Sequence, residues 1–180
     1  METKDWIRLL ESKGLPPGAL DEAGELPPDP TLFDGDRGEQ RLWRACRGEA
    51  IDLRPIVAGR TGSILAPDAY LAIEVWAECE LAALHALHRL SRQPGQDREA
   101  LRGRLRAAAH WHLEHTQPDN STNRPWAIHV FLLLGDDRGE GGLYAETLLH
   151  NMAATDARTE RISQWILADA ARELRLASRS

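Results

Sequence analysis

The sequence predicts an all-α protein, a helical bundle or a set of stacked antiparallel helix hairpins around one long central helix, with an irregular Pro-rich N-terminal arm. Three observations carry that expectation: apolar residues recur at helical spacing through most of residues 67–177, the segments so patterned are long, and strand-like alternation is nearly missing. The 180 residues include 42% hydrophobic and 28% charged side chains, which suffices for a buried core.

The central helix is expected over residues 67–92. Pro67 and Asp68 suit a first helical turn, and no breaker follows until Pro94. On a helical wheel one face holds Ile73, Trp76, Leu84 and Leu87, and another holds Leu71, Val75, Cys79, Ala82, Ala86 and Leu90. A helix that is apolar on two sides needs neighbours on both. The next helix, 98–116, carries Leu101, Leu105, Ala108, His112 and His115 on one stripe. After a polar loop, residues 125–134 form a helix that is apolar nearly all round. A Gly-rich turn precedes a short helix over 143–152, and Thr155 serves as N-cap for a last helix over 157–177. The pairs 98–134 and 143–177, each with a short connection, are expected to pack as antiparallel hairpins.

Residues 1–40 read as an acidic, Pro-rich arm with one short helix over 3–13, and residues 41–180 as a single all-α domain. Leu15, Leu20, Leu26, Leu32 and Phe33 are spaced so that the arm can wrap the body with its acids in water. A second short helix is expected over 38–48. Ile51, Leu53, Ile56 and Val57 alternate weakly, and Pro55 interrupts them, so 49–65 is expected to be extended.

The charge distribution bears on partners. The net charge is -6, and residues 1–40 hold ten acidic and four basic side chains, so the remainder is neutral. Nucleic-acid binding draws on a cationic surface, which this distribution does not supply. The one basic run, Arg98, Arg102, Arg104 and Arg106, lies beside Asp97 and Glu99 and reads as a solvated helix face. The longest apolar run, Val130 to Leu134, is far too short to cross a bilayer. The first residues lack the basic and apolar regions of an export signal, so the expected location is the cytoplasm. Twenty of the 22 basic residues are arginine, as in GC-rich bacterial genomes. Cys46 and Cys79 have no metal-ligand or disulfide spacing, and Cys79 is expected to be a small buried hydrophobe.

All seven histidines lie between residues 85 and 150. In an antiparallel 98–135 hairpin centred near residue 120.5, His112 and His129 share a level and His115 lies beside them, since His112 and His115 are three apart on one helix face. Such a cluster at the hairpin mouth suits a divalent transition metal or a small ligand, with Asp119 as an outer acceptor. The competing reading makes them interior histidines bonded to backbone carbonyls. On the central helix Glu74, Glu78 and His85 form a narrow polar stripe suited to acid–base work or to solvation. Glu80 sits among apolar residues, where an unpaired carboxylate is costly, so it is expected to pair with an arginine or histidine of a neighbouring helix.

Residues 109–120 (AHWHLEHTQPDN), running into 125–135 (PWAIHVFLLLG), resemble the helix, Gln-x-x-Asp-Gly turn, helix units of α/α-toroid enzymes, with Asn120 in place of the glycine and without repeated copies. The resemblance covers about 30 residues and carries no activity. Asp136, Asp137 and Glu140 are similar to the magnesium-holding acidic boxes of isoprenoid enzymes but fall in a Gly-rich turn, with no second box. The function expected first is that of a helical domain acting through protein contacts or as a structural or accessory module, with a protein partner or a second copy of the chain. The alternative is a metal- or small-ligand-binding protein, or a hydrolase-like enzyme, using the histidine cluster.

Overall fold

Few of the described helices begin at a side-chain cap, so their starts are set mainly by what the preceding residues are bonded to. In the computed structural model, which describes residues 1–16, 26–59, 61–116, 122–134 and 139–179, eight α-helices occur and no strand is found among those residues. They are α1 (Thr3–Lys13), α2 (Gly38–Cys46), α3 (Arg54–Ala58), α4 (Ile73–Leu90), α5 (Arg98–His115), α6 (Ile128–Leu134), α7 (Glu140–Ala154) and α8 (Arg161–Ala177). The chain is an all-α bundle. Its backbone divides into two compact units: a terminal unit of Met1–Asp29 with Pro118–Ser180, and a central unit of Pro30–Gln117.

In the central unit, α4 packs against α2 on one side and α5 on another. Every residue from Glu80 to Leu90 is buried, as two apolar faces require. The helix begins at Ile73, however, and not at residue 67. Pro67–Ala69 is a single 3-10 turn, after which Tyr70 and Ala72 are extended. Tyr70 is held there because its hydroxyl donates to Glu39 Oε2 on α2, at 2.7 Å. Residues 49–65 are likewise not extended throughout: α3 forms with Pro55 in its first turn, where a missing N–H costs nothing. Asp52 accepts from the Arg54 backbone N–H (3.0 Å) and from its guanidinium, which holds the Asp52 carboxyl down at about 2. Asp97 caps α5 by accepting from the Ala100 N–H at 3.1 Å. At the start of α2, Gln40 accepts from the Arg37 N–H and donates to Thr31 O, which ties the 3-10 turn Pro30–Leu32 to the helix.

In the terminal unit α1 lies along α8, burying Trp6 and Leu10. Gly14 permits the close approach, since a Cβ there would stand 2.9 Å from Ala168 N. An ion pair joins Glu11 to Arg175. Helix α6 packs on both α7 and α8, with Phe131 stacked on Tyr144 at 4.1 Å between ring centroids. Helices α7 and α8 are joined through the 3-10 turn Asp156–Thr159, which Thr155 caps by accepting from Ala157 N. The helices of the expected 98–135 hairpin, α5 and α6, belong to different units. Asp119, Leu20, Asp136 and Asp137 lie outside the described residues. Among the described residues, no helix is long and apolar enough to cross a membrane.

Candidate functional site

Two buried carboxylates, one on α4 and one on α2, organise the polar interior of the central unit. Glu80 is 0% exposed. Its Oε1 accepts from the Ile64 N–H at 2.6 Å and its Oε2 from the Leu65 N–H at 2.7 Å. His112 Nε2 on α5 stands 3.1 Å from Oε1, the histidine partner that the apolar surroundings of Glu80 require. A carboxylate only accepts, so Nε2 is the donor in that bond. His112 Nδ1 lies 2.9 Å from Thr116 Oγ1, and that hydroxyl in turn donates to His112 O at 3.0 Å. Trp76 stacks over the imidazole at 6.3 Å between centroids and donates its Nε1–H to Leu65 O at 3.1 Å.

Arg104 completes the arrangement from the other direction. Its guanidinium donates to the carbonyls of Ile56 (3.0 Å), Gly62 (3.0 Å) and Ser63 (2.5 Å). The backbone at Ile56 and at residues 62–65 is thus held by a carboxylate that accepts the N–H groups of Ile64 and Leu65 and a guanidinium that donates to the carbonyls of Ile56, Gly62 and Ser63. Burial holds the Arg104 guanidinium below its ordinary value, and the Glu80 charge opposes that shift. Arg104 is consequently no part of the solvated basic run, which reduces to Arg98, Arg102 and Arg106. Its position on the wheel beside Leu101 and Ala108 is the signal for this.

The second carboxylate, Glu39, is 1% exposed and receives the Tyr70 hydroxyl on Oε2 and the Arg37 guanidinium beside Oε1 at 2.9 Å. Burial and the Glu39 hydrogen bond push the Tyr70 hydroxyl up. Cys79 is half-buried beside this acid, not fully buried as expected. Burial first, then the Glu39 charge and hydrogen bond, push its thiol up to about 12. Cys46 is the buried small side chain, its Sγ 3.5 Å from Ala86 O.

The candidate ligands fare unequally. His112 is turned inward to Glu80, whereas His115 is exposed, its ring stacked on Trp111 and its Nδ1 3.0 Å from Trp111 O. His129 is fully buried in the first turn of α6, in the terminal unit. Among the described residues no group of three or more His, Cys, Asp or Glu side chains is gathered to hold a metal ion. Glu74 is exposed, Glu78 half-buried, and His85 fully buried against Trp43 at 5.7 Å between centroids, so the polar stripe spans three environments.

The succession Glu80, His112, Thr116 has the connectivity of a nucleophile relay. Its electrostatics run the other way. Thr116 ends α5, its hydroxyl and its N–H both donate to His112 O, and an oxyanion formed there faces the negative end of the helix. What the network does well is fix the backbone at Ile56 and at residues 62–65. Compared with known protein families, with curated proteins and with solved structures, the chain matches none of them.

Proposed function

We propose that this chain is a helical accessory module that works by protein contact, and that the head of α4 makes the contact. One observation carries the reading: all five residues of the segment 71–75 are exposed, and three are large and apolar, Leu71 at 107%, Ile73 at 57% and Val75 at 45%. Single exposed apolar residues are ordinary, but three within five residues form a patch. The segment is no frayed end, because Tyr70 before it is bonded to Glu39 and Trp76 after it is bonded to Leu65 O. The Glu80 and Arg104 contacts fix the loop to which Trp76 is tied. A rigid protrusion loses little conformational freedom on binding, which favours recognition by a partner.

The flanking charges define the partner. Asp68 and Glu74 are exposed beside the apolar side chains. A symmetric contact with a second copy sets these carboxylates against their own images, whereas a protein with an apolar recess and a basic rim complements them. A photo-crosslinking residue at position 71 of the full chain, in the cells that make it, is expected to yield one discrete product. The protein so identified, once purified, should bind the unmodified chain in calorimetry and fail to bind Ile73→Asp. Equal binding by Ile73→Asp would remove the head of α4 from the contact.

A further inference from the structure

Between residues 51–58 and the first turn of α5, all in the central unit, lies a cavity of about 490 Å³, a volume within the range of small-molecule sites. Burial grades its lining. Leu101 is buried and Ile51, Leu53, Val57 and Ala100 are half-buried, so the base and walls are aliphatic. Asp52, Arg54, Gln96 and Asp97 are exposed and stand at the mouth. Backbone groups of the walls are already spent: Leu53 O accepts the N–H groups of Ile56 and Val57, and Asp97 O accepts that of Leu101. The charges at the mouth are engaged and balanced. Asp52 holds the Arg54 guanidinium through two contacts of 2.8 Å, and Asp97, which caps α5 at the Ala100 N–H, has the exposed Arg98 beside it. Arg104 on α5 donates to Ile56 O at 3.0 Å and so fixes α3 against α5, which leaves the cavity formed before anything enters it.

We propose that this cavity binds a small, uncharged, apolar molecule. The half-buried Ile51, Leu53 and Val57 keep apolar surface in contact with water, and an apolar occupant removes it. A charged occupant gains nothing by entering: the base offers no polar side chain to replace the water its charge gives up, and the mouth presents both signs equally. A protein surface is the poorer fit, because the apolar residues are recessed and a flat partner would first have to cover the solvated charges of Asp52, Arg54 and Asp97. Preformed walls keep the entropy cost of binding low. The cavity is separate from the head of α4, and its test does not depend on that reading.

The test uses the full chain and three naphthalene derivatives of similar size, bearing a hydroxymethyl, an ammoniomethyl and a carboxylate group. In an NMR titration the hydroxymethyl compound is expected to shift the amides of Leu53, Val57, Ala100 and Leu101 saturably. The two charged compounds should bind about tenfold more weakly. Ala100→Phe fills the cavity from α5 and Val57→Asp sets a carboxylate in its wall. Each should weaken binding of the neutral compound by about tenfold or more, with circular dichroism checking the fold. The titration of the unaltered protein locates the site by itself, so the proposal is decided even where a variant does not fold. No saturable shift at these four residues, equal or tighter binding of a charged compound, shifts centred instead on Leu71, Ile73 and Val75, or unchanged affinity in both variants would each overturn it.

Discussion

Cys79 stands half-buried next to the Glu39 carboxylate, and that neighbour governs its chemistry. With its thiol pushed up to about 12, little thiolate exists at pH 8. The higher basicity of the thiolate that does form offsets part of the deficit, and iodoacetamide should react about 40-fold more slowly than with an ordinary cysteine. Glu39→Gln should speed the reaction, and mass spectrometry of the modified peptide measures both rates. The sign for stability follows. The folded state keeps this proton above the usual 9.0, so stability falls as pH rises from about 9 toward 12. A second prediction concerns the loop-holding pair. Glu80→Gln turns one acceptor into a donor that faces an N–H, and should destabilise by about 1 to 3 kcal/mol in chemical denaturation. Arg104→Ala strands three carbonyls and should cost a similar amount. The need of Glu80 for a partner was legible in the sequence because apolar neighbours surround it. That two of its three partners are backbone amides of residues 64 and 65 was not, since every residue carries an N–H and nothing marks which are spent.

At the scale of the element, α4 was legible where burial dictates it and not where a distant bond does. Its apolar pattern from Leu81 to Leu90 requires helices on two sides, and α2 and α5 lie there. Its start was misjudged by six residues because the Tyr70 to Glu39 bond, which spans 31 positions, holds Tyr70 extended. Pro55 misled in the opposite way: a strand breaker is also a good first-turn residue. The histidine stripe shows the limit of the three-residue rule, for His112 and His115 share a wheel sector but only His112 faces the core, the helix ending at His115. Leu84→Ala, at a fully buried position, should cost about 2 to 5 kcal/mol and Trp76→Ala about 3 to 5 kcal/mol. Urea denaturation of the two variants checks these values, and Trp76→Ala should also loosen Leu65, its hydrogen-bond partner.

For the molecule as a whole, helical class followed from periodicity, while the division into two units did not, because it joins Met1–Asp29 to Pro118–Ser180 across the whole of the central unit. Long-range pairing of this kind leaves no local pattern. It does make α1 part of a core, with Trp6 and Leu10 buried along α8. Trp6→Ala should therefore lower the melting temperature by about 6 to 20 °C, the equivalent of about 3 to 5 kcal/mol in a chain of this size. A melt unchanged by that substitution would show α1 to be dispensable.

The buried charges of the central unit fix the backbone at Ile56 and at residues 62–65 and, through Trp76, the head of α4. Native-state hydrogen exchange at the amides of Ile64 and Leu65 tests it most directly, since both N–H groups end on Glu80. Both should exchange slowly in the unaltered protein, and Glu80→Ala should speed them by about 10- to 100-fold while amides in the middle of α5 keep their protection relative to global unfolding. Exchange of Ile64 and Leu65 at the rate of an open loop in the unaltered protein would contradict it.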